Sequence, residues 1–109
     1  MNWKIESILE ETTKLDFPFL ASEEQKRKII IEEKRKIDEE INEFLFSNPD
    51  KLLLTDAMRE SFWQQAKELA GADFSDLPKK LRLNGFYFQQ LMYNYVNLIK
   101  QYFERINNE

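Results

Sequence analysis

Two short stretches carry residue types and spacings that could do chemistry. The first is Glu39-Glu40-Ile41-Asn42-Glu43. On a helix, carboxylates three and four positions apart share a face, and such a face can hold a hard cation that binds phosphate oxygens. A complete site needs further carboxylates from a second helix. Glu60-Ser61-Phe62-Trp63 offers a single carboxylate, and Asp73-Phe74-Ser75-Asp76 is expected in a loop. The pattern is half a metal site, which cannot hold the metal, and five-residue acidic clusters are common on exposed helices, which is the reading preferred. The second stretch is the turn Lys79-Lys80-Leu81-Arg82, which leads into a segment with no acidic residue from Leu77 to Phe103. Lys and Arg with nearby amides can grip a phosphate backbone without reading its sequence. The competing reading is that Asn and Gln replaced charges in a chain of biased composition.

Other chemistry is excluded by composition. The 109 residues contain no histidine and no cysteine. Imidazole general bases, Ser-His-Asp and Cys-His arrangements, thiolate catalysis and His- or Cys-ligated metals are therefore absent. We expect no catalytic residue, no metal site, no cofactor and no small-molecule substrate.

The charge is uneven. Residues 1–49 hold eight basic and twelve acidic side chains, and residues 50–109 hold eight of each, so the net charge of −4 arises in the first half. That balance disfavours binding nucleic acid over the whole surface, whereas binding through a C-terminal patch is compatible with it. The runs Lys26-Arg27-Lys28 and Lys34-Arg35-Lys36 do not change this. They pair at i, i+4 with Glu23, Glu24, Asp38, Glu39 and Glu40, and with Glu32, as expected of a solvated, salt-bridged helix.

Positioning these groups requires helices. Valine occurs once, glycine twice and proline three times, while Ile, Leu, Glu, Lys and Phe dominate, which favours a few long helices over strands. A first helix is predicted from about Trp3 to Lys14, with Ile5, Ile8, Leu9 and Thr12 on one side. The segment Leu15 to Leu20 breaks it at Pro18 and is expected to fold its aromatics onto the core. Ser22-Glu23-Glu24-Gln25 reads as a capping box opening a helix to about Phe46, with Ile30, Ile37, Ile41, Phe44 and Leu45 as its seam. Pro49 follows its end. A third helix spans about Lys51 to Ala70, with a possible restart at Thr55. Its Met58, Phe62, Ala66 and Leu69 repeat at helical spacing, and Gly71 is expected as a left-handed C-terminal residue.

The last helix runs from about Phe86 to Ile106. Phe88, Leu91, Met92, Tyr95, Ile99, Tyr102, Phe103 and Ile106 write its apolar face, and Gln89, Gln90, Asn94, Asn97 and Gln101 its opposite face. Most of its aromatics are expected in the core, leaving Tyr87 and Tyr93 off that face as candidates for stacking on bases. The predicted fold is all-α, a single domain over residues 1–109, built as a compact antiparallel bundle of four to five helices with the long and last helices as its main seam. No membrane span or secretory signal is read, so a cytoplasmic location is expected.

Two resemblances bear on function. Glu39, Glu40 and Glu43 fit Glu-Glu-x-x-Glu, which resembles the first half of the magnesium signature of the all-α, MazG-like nucleotide pyrophosphohydrolases. Leu83-Asn84-Gly85, Leu91, Tyr93-Asn94 and Lys100-Gln101-Tyr102 together resemble the C-terminal helical region of type I CRISPR Cascade large subunits, also made separately as the small subunit. The second resemblance implies a non-catalytic part of an antiviral nucleoprotein assembly that lies beside the guide–target duplex and the displaced strand. Under that reading Lys79, Lys80, Arg82 and Lys100 meet phosphates of RNA or single-stranded DNA, and Asn94, Asn97 and Gln101 add hydrogen bonds. The alternative is a protein-only interaction module, such as an adaptor, antitoxin or phage-encoded inhibitor.

Overall fold

The computed structural model describes residues 4–15, 22–47, 53–73 and 85–107. Within them lie four helices and no strand: α1 (Lys4–Thr12), α2 (Glu23–Phe46), α3 (Asp56–Asp73) and α4 (Gly85–Asn107). The plug expected around Phe17 and Phe19, and the turn around Pro78, lie outside the described residues.

Local chemistry sets the helix ends. Ser22 Oγ accepts from the Gln25 amide at 3.2 Å and the Gln25 side chain accepts from the Ser22 amide at 2.8 Å, closing the capping box. At the far end of α2 the Ser47 amide returns to the Glu43 carbonyl at 3.2 Å. The third helix starts at the predicted restart: Thr55 Oγ1 accepts from the Met58 amide at 3.1 Å and caps it. α3 then continues through Gly71, which does not adopt a positive φ, so this glycine is a helix residue rather than a C-terminal cap. Ala72 and Asp73 carry no helix-breaking chemistry, which lets the helix extend past it.

The helices alternate in direction. Met58 and Trp63 of α3 face Tyr102 and Tyr95 of α4, so these two run antiparallel. Glu6 and Leu15 meet Lys100 and Gln89, which sets α1 antiparallel to α4 as well. Asp38 and Phe44 of α2 meet Tyr95 and Phe103, so α2 runs parallel to α4. This is an up-down-up-down bundle.

α4 supplies the largest share of the core. Phe88, Leu91, Met92, Tyr95, Val96, Ile99 and Phe103 are all buried. Ile5, Ile8, Ile37, Ile41, Phe44, Ala66 and Ala70 close around them. The closest backbone packing is α3 on α4, not α2 on α4 as the length of α2 suggested. Ala66 and Ala70 explain the difference, since two small buried side chains bring α3 close, whereas α2 reaches α4 through Phe44 and Phe103 with rings 5.8 Å apart. Leu69, placed in the predicted α3 seam, is instead half exposed, and Trp63 and Ala70 occupy the inward positions.

A Cβ added at Gly71 would meet nothing within 4 Å. Gly71→Ala is therefore expected to stabilise the fold by about 0.5–1 kcal/mol, because a helical glycine loses more backbone freedom than alanine. Urea unfolding of the two proteins measures it, and a destabilised variant would refute the helical assignment of this position.

Candidate functional site

The residues expected to contact nucleic acid divide into two groups. Lys79, Lys80 and Arg82 lie outside the described residues. Asn94, Asn97, Lys100 and Gln101 share α4, spaced at three, four and seven, so they form one strip along the helix. Tyr93 sits beside them at the surface, while the side chain of Tyr87 lies outside those described.

The strip is less open than its amide content suggests. Only Gln101 is exposed, and Asn94, Asn97 and Lys100 are half-buried. Asn94 Oδ1 accepts from Gln90 Nε2 at 2.8 Å, and the Gln89 side chain donates to the Leu15 carbonyl. Lys100 Nζ lies 3.3 Å from Glu6 and 3.7 Å from Glu104. Three of the five amides are thus engaged within the protein, Gln89 across to the end of α1 and Gln90 with Asn94 along α4 itself, and the strip's own cation is set between two carboxylates. Asn94 Nδ2 is buried with no partner among the described residues.

The acidic cluster on α2 does not converge. Glu39 is held by Arg35, and Glu40 lines a cavity of about 110 Å³ between α1 and α2, floored by Thr12, Leu15 and Ile37. Among the described residues no group of three or more Asp, Glu, His or Cys is placed to hold a metal ion. Exposed pairing does dominate the outer face of α2. Lys28 pairs with Glu24, Arg35 with Glu32 and Glu39, and Lys36 with Glu33 rather than the expected Glu32. The Arg35 hydrogen bond draws the Glu32 carboxyl below its ordinary value.

One pair departs from the solvated reading. Lys34 and Asp38 are the other i, i+4 partners on α2, yet their side chains are only 23% and 19% exposed. They border the seam beside Ile37 and Ile41, and α3 and α4 close over them. Asp38 Oδ2 receives Lys34 Nζ at 2.8 Å, and Oδ1 receives the Tyr95 hydroxyl at 2.6 Å. Arg59 Nη1 approaches the same carboxylate at 3.4 Å and the Asp38 carbonyl at 3.3 Å, while Nη2 donates to the Asn42 side chain. The Tyr95 ring meets Trp63 edge-on, centroids 5.2 Å apart at 85°. Five side chains from three helices are thereby tied to one carboxylate or its neighbour.

Sequence reasoning missed this junction. Its available signal was modest: Asp38 and Arg59 are charges at positions adjoining apolar seams, and Arg59 and Trp63 are spaced i, i+4 on α3. Nothing in the chain itself states that one helix's Asp faces another's Arg. The junction's electrostatics follow from its burial. Desolvation first, and then the Asp38 hydrogen bond and charge, push the Tyr95 phenol well above the ordinary 10.0, so it stays protonated as the donor to Asp38.

No protein-family model matches the chain, and no curated protein or solved structure matches it either.

The junction sets two measurements. Asp38→Ala leaves Arg59 and Lys34 without their shared anion and is expected to lower stability by about 3–5 kcal/mol. Tyr95→Phe removes one hydrogen bond to a charged group, for roughly 1.5–3 kcal/mol. Chemical denaturation ranks the two, and equal stability of Asp38→Ala and wild type would refute the network. The phenol also sets a pH dependence. Its folded pKa lies above its unfolded value of 10.0, so its contribution is complete below pH 10 and declines as pH rises beyond it. Absorbance at 295 nm should then show Tyr95 ionising only as the chain unfolds, a delay absent in Tyr95→Phe.

Proposed function

We propose that this chain is a non-catalytic binding subunit of a larger cytoplasmic assembly, with the outer strip of α4 and the adjoining Lys79-Lys80-Leu81-Arg82 turn as its contact surface. The observation that carries this reading is the charge character of that strip. Tyr93, Asn97 and Gln101 offer aromatic and amide groups along α4, and no acidic residue interrupts the sequence between Leu77 and Phe103. α1 and α2, by contrast, present carboxylates along their exposed faces. Backbone contacts to nucleic acid come from Lys, Arg and amide side chains and carry no sequence information.

The most concrete form is a subunit of a nucleoprotein complex, as the resemblance to Cascade small subunits implies, with RNA or single-stranded DNA as the backbone met. Lys79, Lys80 and Arg82 supply the uncompensated charge in this reading. Lys100, flanked by Glu6 and Glu104, serves as a secondary contact. That same flanking favours the second reading, a protein-only module. Phosphate contact draws on uncompensated positive charge, whereas a protein partner is served by a neutral amide surface.

Fluorescence anisotropy with a labelled single-stranded RNA and DNA separates the two. Binding through the turn predicts an affinity that falls steeply with salt and is lost in the triple variant Lys79→Glu, Lys80→Glu, Arg82→Glu, with helical circular dichroism unchanged. No binding at low salt, or binding that survives the triple change, overturns the nucleic-acid form and leaves a protein partner.

A further inference from the structure

Where α2, α3 and α4 meet, two aromatic rings and a carboxylate surround a single ammonium. Lys34 Nζ lies 5.1 Å from the Tyr95 ring centre and 5.4 Å from that of Trp63. It is also 2.8 Å from Asp38 Oδ2, and the two rings stand at 85° to one another. Ring faces are the negative end of the aromatic quadrupole, so a cation in the angle between two rings is attracted by both. A carboxylate at hydrogen-bond distance completes the surroundings that recognise alkylammonium groups. Trp63 draws a second cation, with Lys67 Nζ 6.0 Å from its ring centre.

Tyr95 itself is fully buried, so access to the corner is from the Lys34 side, where two further observations bear on exchange. The Lys34 side chain keeps 23% of its surface in solvent, and its flexible four-carbon stem can swing outward without moving α2. Asp38 also keeps Tyr95 at 2.6 Å and Arg59 at 3.4 Å when Lys34 leaves, so its charge is never stranded.

We propose that the Trp63–Tyr95–Asp38 corner is a binding site for alkylammonium groups, methylated ones included, with Lys34 as an internal ligand that an incoming cation replaces. A tethered lysine competes at high local concentration, which makes the native affinity weak. If Lys34 fills the corner about nine-tenths of the time, its removal tightens binding about tenfold.

The test titrates tetramethylammonium chloride into the full chain, with sodium chloride as the matched control, while the Trp63 indole N–H signal is followed by NMR. A saturable shift is expected in the wild type, and in Lys34→Ala at about one tenth of the concentration. Adding Trp63→Leu should abolish binding, read from chemical shifts elsewhere in the corner. Lys34→Met, which retains the apolar stem, substitutes if the alanine variant does not fold. A trimethyl-lysine peptide binding much more tightly than tetramethylammonium identifies a protein side chain as the ligand, and equal affinities identify a small amine. The proposal is overturned if the shift in the lysine variants matches the sodium control. It is equally overturned if only those variants respond, since Lys34 is then a fixed structural group.

Discussion

The wide burial of α4 is the constraint from which the rest of the bundle follows. Seven large side chains between Phe88 and Phe103 are buried on this one helix, spread over more of its circumference than a single neighbour can cover. Three helices must therefore pack around it, and each does so with a different device. α3 uses small residues to come close, α2 reaches in with Phe44 from further away, and α1 seals one flank with Ile5 and Ile8. What remains of the α4 surface is a narrow, partly shaded strip. Amides suit such a position, since their hydrogen bonds can be satisfied within the bundle and they lose less on partial desolvation than charges do.

The junction at Asp38 adds specificity to this apolar scheme. Hydrophobic burial is tolerant of sliding and rotation between helices, whereas a carboxylate that must meet Tyr95 and Arg59 at fixed distances is not. Its place on α2 ties the helix with the looser backbone contact to the two that pack most closely. The same side chains that fix the register also create the ring-lined corner around Lys34, so one cluster bears on both the packing and the proposed ammonium site.

Much of this architecture was legible in the sequence because it rests on local rules. The capping box at Ser22 and Gln25, the restart at Thr55 and the apolar period of α4 each depend on residues within a few positions of one another. The failures are non-local. Gly71 looked like a terminus because the continuation of α3 was not visible in its own type. Lys34 and Asp38 matched the solvated pairs along α2 in every local respect, and only the covering by α3 and α4 sets them apart. The amide strip was readable as a composition, yet its division into internal bonds at Gln89 and Gln90 and outward groups at Gln101 needed the fold. Three of the four basic residues, Lys79, Lys80 and Arg82, fall outside the described residues, so the proposed contact surface was legible only as a motif.

The pairing of α1 with α4 has a consequence for when the fold can form. α1 spans nine residues, too short to persist as an isolated helix in water, and its inward side chains rest largely on α4. Ile5 and Ile99 are far apart in the chain, and at ribosomal elongation rates roughly 5–20 s separate their synthesis. While the middle of the chain is being made, α1 has only α2 to pack against, and the part of its apolar face that α4 covers waits in the open until α4 arrives. Completion of this core therefore waits on the synthesis of α4, and that interval is when chaperones or misassembly have the most surface to act upon.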